Sequence, residues 1–179
     1  GNAEVNLKKR PGLQGPIDDA FMDRFVIVTP SGRMRRSKSD RWIRREQFRL
    51  QKEWREQFRG EPLSISDGDF NISDWKDAHW ILFGNPETNL LIKQILPYLP
   101  IQWRGNEIIF GEHRFDDQRF VPVMVFPNPM NPGKYIVLNS GFTFRGYGSN
   151  ATQVPRLPDY AVIDTNVRSN TEVPGGIPL

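Results

Sequence analysis

Read as hydrophobic and polar positions, the chain alternates short unbroken apolar runs with one long segment that is apolar along a single stripe. The runs fall at 24–29, 79–83, 120–126, 135–138 and 160–163 and are built largely of β-branched and aromatic residues at strand length. An unbroken apolar strand suits a position covered on both faces, as in a parallel sheet. The striped segment predicts a helix over 40–58, opened by Asp40 as a cap and stopped by Gly60. Its apolar positions Ile43, Leu50, Trp54 and Phe58 are spaced seven, four and four apart, which puts them on one core-facing side of a charged cylinder.

Weaker signals fill the intervals. Residues 62–66 predict a short strand and 73–77 a helical turn. A second helix is expected over 87–98, with Leu90, Leu91, Ile95 and Leu96 inward and Pro97 and Pro100 closing it. Short antiparallel pieces are expected at 101–103, 108–110 and 112–115, around Gly105-Asn106 and Gly111. Strands alternating with helices predict an α/β fold. The expected form is three layers, α/β/α, around a mostly parallel sheet, flavodoxin-like or Rossmann-like in arrangement. Few helical segments separate the strands after residue 120, so that part of the sheet is expected to be mixed. Residues 1–20, punctuated by Pro11-Gly12 and Gly15-Pro16, read as an arm or linker. Residues 21–165 read as a single α/β domain and 166–179 as a C-terminal tail. A stiff connector running into a buried strand is the pattern expected where one domain follows another.

Composition narrows the class. At 179 residues, 37% hydrophobic, 25% charged and 12% aromatic, this is an ordinary globular composition and not a disordered one. No apolar run approaches the ~20 residues of a membrane-spanning helix, so no membrane partner is expected. Cysteine is absent, which excludes disulfides, thiolate metal sites and a Cys nucleophile. The net charge of +3 conceals an asymmetry. Between Arg33 and Arg59 eleven Lys or Arg face four Asp or Glu, a net of +7 that leaves −4 for the rest of the chain. Those cations, with Trp42 and Phe48 as stacking partners, offer one reading as a nucleic-acid element. Glu46, Glu53 and Glu56 interleave with them, which favours a solvated helix or a docking face for an acidic partner domain.

In an open parallel sheet ligands bind beyond the carboxyl ends of the strands. The loops expected there are small, neutral and rich in hydrogen-bonding groups. They nominate Thr29, Ser31, Asn85, Asn89, Asn128, Asn139 and Ser140 as ligand-binding candidates, on the premise that all the strands run parallel. The helix opening near Glu87 would aim its N-terminus at the same edge and favour a small anion. The same residue types also serve plain turns and caps. Gly-rich nucleotide loops of the G-x-G-x-x-G and G-x-x-x-x-G-K-[ST] kinds are missing, and no cofactor is expected. His79 and His113 lack ligand partners at i+3 to i+5 and read as structural; Asp116 and Asp117 beside His113 leave a surface metal site as a minor alternative. No G-x-S-x-G elbow occurs, Asn139-Ser140-Gly141 being its nearest imitation, and no catalytic residue is nominated. Asp18, Asp19, Asp67 and Asp69 supply carboxylates that read as solvated.

Several blocks carry a family likeness. They are Lys9-Arg10-Pro11-Gly12-Leu13-Gln14-Gly15-Pro16-Ile17-Asp18-Asp19-Ala20-Phe21, Trp54-Arg55-Glu56-Gln57-Phe58-Arg59-Gly60 and Leu82-Phe83-Gly84-Asn85-Pro86. Phe126-Pro127-Asn128-Pro129-Met130-Asn131-Pro132, Val137-Leu138-Asn139-Ser140-Gly141 and Leu157-Pro158-Asp159-Tyr160-Ala161 complete the set. Together they resemble the C-terminal region of secreted bacterial prolyl-oligopeptidase-like proteins, predicted peptidases or esterases. The resemblance implies an upstream α/β-hydrolase domain carrying the Ser-Asp-His machinery and a periplasmic or extracellular location. It also implies that this chain is a non-catalytic accessory domain that packs on its neighbour, shapes substrate access or touches a polymeric substrate. A stand-alone small-molecule protein using the Asn- and Ser-rich loops is the alternative, and nucleic-acid binding through the basic helix is the third reading.

Overall fold

A computed structural model of the chain describes residues 17–142 and 159–167. Among them nine strands form two sheets. In chain order they are β1 (Phe25–Thr29), β2 (Ser64–Ser66), β3 (His79–Leu82), β4 (Gln102–Arg104), β5 (Glu107–Phe110), β6 (His113–Asp116), β7 (Phe120–Asn128), β8 (Asn131–Leu138) and β9 (Tyr160–Asp164). Three α-helices accompany them: α1 (Lys38–Phe58), α2 (Ile72–Trp75) and α3 (Leu90–Ile95). Two 3-10 helices, Ile17–Phe21 and Leu96–Tyr98, complete the regular structure.

The six-stranded sheet runs β2-β1-β3-β8-β7-β9. β2, β1, β3 and β8 are mutually parallel, and β7 is antiparallel to both of its neighbours. The sheet is therefore mostly parallel, with one reversed strand where helices between strands run out. That reversal has a simple cause. Only Pro129 and Met130 separate β7 from β8, and a two-residue connection can join only antiparallel strands. The smaller sheet, β4-β5-β6, is an antiparallel meander.

Both faces of the large sheet are covered, as its unbroken apolar strands require. Alternate residues point to opposite faces. Ile27, Ile81, Val123 and Val137 pack under α1, the first 3-10 helix and Phe142. Val26, Val28, Trp80, Leu82, Ile136 and Leu138 pack under α3, Leu99, Ile101 and the inner side of the meander. The second cover is thus part helix and part sheet. Ile17, Ala20 and Phe21 are buried in the first core. The boundary expected at 20/21 therefore falls inside one short 3-10 helix, and the last residues of the expected arm belong to the domain core.

Two helix expectations shift. α1 is capped by Ser37, not Asp40. Asp40 sits at the third helical position and its carboxylate reaches back to the Ser37 N–H, a reciprocal capping box. The second helix begins only at Leu90, because Asn89 caps it with bonds to the Leu91 and Ile92 N–H groups. Leu90, expected inward, is exposed, and so is Phe58 on α1, whereas Trp42 is buried.

Candidate functional site

The carboxyl ends of β2, β1, β3 and β8 meet on one edge, and most of the nominated residues are there. The chain leaves β1 toward β2 on one side and returns to β3 on the other, so β1 and β3 flank the switch point where open α/β sheets place ligands. Here that crevice is filled by the protein itself. The Gly32 N–H donates to the Thr88 carbonyl at 2.9 Å, zipping the two loops together. A Cβ at Gly32 would lie 2.7 Å from Thr88 Cα, so the approach requires glycine. Gly84 has φ 121°, and a Cβ there would lie 2.7 Å from Thr88 Oγ1.

Asp67 closes the edge. Its carboxylate accepts from the Ser31 N–H at 2.6 Å and from the Leu90 N–H, at the start of α3, at 2.5 Å. The anion expected at this helix start is thus a side chain of the same molecule. Burial opposes ionisation of Asp67, but the N–H groups of Leu90 and Ser31 outweigh it and hold the carboxyl below its ordinary range. Sequence reasoning set Asp67 aside as a solvated acid. A signal was available in its place: it follows β2 directly, at the same edge as the Thr29 and Asn85 loops.

The nominated amides turn inward. Asn89 is fully buried; its Oδ1 caps α3 and its Nδ2 donates to the Phe83 carbonyl at 3.0 Å. Asn139 is also fully buried, with φ 53°. Its Oδ1 accepts from the Gly84 N–H at 2.8 Å, and its Nδ2 donates to the carbonyls of Gly84 at 3.0 Å and Pro122 at 3.3 Å. One side chain thereby ties the ends of β3, β8 and β7. Ser140 Oγ donates to the Gly141 carbonyl at 2.9 Å, and Thr29 Oγ1 to the Ile65 carbonyl at 3.4 Å. Ser31 is exposed, with its backbone held by Asp67. Asn85 is half-buried, and its Oδ1 accepts from the Glu87 and Thr88 N–H groups.

Asn128 is not on this edge. Because β7 runs antiparallel, its end lies with the beginnings of β3 and β8, where Asn131 Nδ2 donates to the Lys76 carbonyl at 2.7 Å. The premise of uniformly parallel strands fails at β7, and Asn128 leaves the set. It is fully buried, its Oδ1 accepts from the Met130 N–H at 2.9 Å, and its Nδ2 has no partner.

Beside the sealed crevice lies a shallow cleft lined by Ser39, Asn85, Trp103, Asp117 and Phe120, among others. Its volume is about 10 Å³, room for roughly one water molecule. Trp103 Nε1–H is buried without an acceptor. Burial pushes the Asp117 carboxyl up; nearby Arg35 pulls the other way, and Glu87, Asp116 and Asp40 add to the rise. Arg35 pairs with Glu87 and donates to Asn106 Oδ1 at 3.0 Å.

Neither histidine reaches the edge. His79 begins β3 at the opposite end, and its Nδ1 accepts from the Tyr135 N–H at 2.8 Å. Burial lowers its pKa to about 4, with Lys134 adding to the effect and Asp23 and Asp19 opposing it. His113 is exposed on β6. Among the described residues no three His, Asp or Glu converge as a metal site requires. No protein-family model matches the chain, and no curated protein matches it.

Proposed function

We propose that this chain is a non-catalytic accessory domain of a larger hydrolase of peptidase or esterase type, acting by packing on its neighbour or shaping substrate access. The observation that carries the non-catalytic part is the self-filled switch point. Asp67, Asn89 and Asn139 spend their hydrogen bonds on the protein's own backbone at the place where an α/β enzyme would present them to substrate. Among the described residues the adjacent cleft has room for about one water, and its one hydroxyl, Ser39 Oγ, donates to the Asp117 backbone carbonyl at 2.6 Å and not to a base. The hydrolase part, and the export that goes with it, rest on the sequence blocks that resemble prolyl-oligopeptidase-like proteins. We also read the fold as flavodoxin-like, on the parallel order β2-β1-β3-β8 with cover on both faces.

The test is the size of the native polypeptide in its source cells, by immunoblot against this chain. A band well above 20.7 kDa is expected. A band at that mass overturns the reading. In the larger polypeptide, Asn85→Ala is expected to leave hydrolysis of a small p-nitrophenyl ester unchanged. Loss of that activity with the fold intact would make the cleft catalytic instead.

A further inference from the structure

We propose that the outer face of α1 docks an acidic protein surface, with Arg41, Arg44 and Arg45 meeting carboxylates and Phe48 entering an apolar socket. The proposal deepens the accessory-domain reading and rests on it for the partner's location, within the same polypeptide. Arg44 and Arg45 lie three and four residues after Arg41, and Phe48, Lys52 and Arg55 continue from Arg45 at steps of three, four and three, so all six fall on one face of the helix. All six are exposed, while Trp42, Ile43 and Leu50 on the other side are buried.

Three observations single out this face. Phe48 is 62% exposed at its centre, and an aromatic ring framed by arginines is the composition of interface cores. The charges also oppose helix stability. Arg41 lies near the positive N-terminal end of the helix dipole, and it faces Arg44 and Arg45 at i+3 and i+4, where like charges repel. Nearby carboxylates do not relieve this: Glu46 and Glu53 are taken by Arg49, which sits off the stripe. Among the described residues neither Arg41 nor Arg45 meets a carboxylate. Arg44 is already oriented, with its Nε 2.9 Å from Sδ of the core residue Met34. Finally, the three unneutralised cations are all arginine, whose planar fork binds carboxylate in two-point fashion.

Phosphates would satisfy the same fork, but the extent of the patch favours protein. From Arg41 to Phe48 the helix rises about 10 Å, too short for a track of successive phosphates. Beyond it Lys52 pairs with Glu56 at 3.8 Å and Arg55 with Glu61 at 3.4 Å, so the unneutralised patch ends within two turns and suits a compact cluster of carboxylates.

The test places p-benzoylphenylalanine at position 48 of the native polypeptide in its source cells. After irradiation the cross-linked species is sequenced by mass spectrometry. The expected product joins position 48 to a segment with more Asp and Glu than Lys and Arg. Its yield is expected to fall at least tenfold in Arg41→Glu/Arg45→Glu, while circular dichroism of the isolated chain stays unchanged and its Tm does not fall. A cross-link to nucleic acid or lipid, to a non-acidic segment, no cross-link, or a yield indifferent to the charge reversal overturns the proposal. A cross-link to an acidic segment of a separate protein supports this docking chemistry while removing the accessory-domain reading.

Discussion

Asp67 joins backbone 36 residues before it and 23 after it, and so acts as a tertiary clamp built from one side chain. Its removal leaves two part-buried N–H groups without their carboxylate acceptor. Asp67→Ala is expected to cost about 2–4 kcal/mol, on the desolvation cost of each orphaned donor, read as a fall in the urea midpoint at constant slope. Because its folded carboxyl titrates below 3.8, the contribution is present above that pH and disappears as pH falls through the lowered value. Asn139→Ala is expected to destabilise by a similar amount and to leave ligand screens unaffected, since its amide already serves Gly84 and Pro122. His79 gives the opposite end of the sheet a different acid response. In the unfolded chain it gains a proton near 6.5, and in the fold only near 4. On account of His79, stability is therefore expected to decline by roughly 3 kcal/mol between about pH 6.5 and pH 4, below which the lowered carboxylates such as Asp67 take over the acid response. Protonation must displace the Tyr135 N–H from Nδ1 and bring charge next to Lys134, with Asp23 and Asp19 as partial compensation. The slope is expected to flatten in His79→Gln; an unchanged slope would assign the acid response elsewhere.

At the scale of elements, α1 is held at its start by the Ser37–Asp40 box and at its end by Arg59 in the left-handed region at φ 55°. Ser37→Ala is expected to cost about 1 kcal/mol, and Arg59→Gly is expected to be neutral or mildly stabilising, both read from thermal denaturation. The helix was legible in the sequence because its apolar positions, at steps of seven, four and four, keep to one side of the helix. Its cap was misassigned because Ser37 and Asp40 both have capping side chains, and only the backbone path shows which one stands outside the first turn. The loops after β1 and β3 act as one element once folded. Gly32→Ala would force Cβ against Thr88 Cα at 2.7 Å, backbone against backbone, so this variant is expected to fold poorly or not at all.

For the molecule as a whole, the arrangement of strands decides what each loop is for. Five strands share one direction and β7 opposes them, so loops that look alike in sequence end on different edges. Asn85, Asn89, Asn139 and Ser140 come together, and Asn128 does not. With the crevice sealed, the outer face of α1 is, among the described residues, a surface whose Arg41 and Arg45 meet no carboxylate, and the function proposed above follows that division. It predicts that charge reversal on α1 impairs association while sparing the fold, whereas substitutions at the sheet edge impair the fold first.

Local pattern alone determined the strands, the long helix and the α/β class, because apolar periodicity is imposed by which side of each segment must leave water. It also marked α1 as the basic element, since charge is counted without coordinates. The direction of β7, the placement of Asn128, the capture of the α3 start by Asp67 and the inward turn of Asn89 and Asn139 were decided only by the tertiary structure. Each depends on a partner tens of residues away. An amide or carboxylate has the same letter whether its bonds go to a ligand or to distant backbone, and only the fold chooses between them.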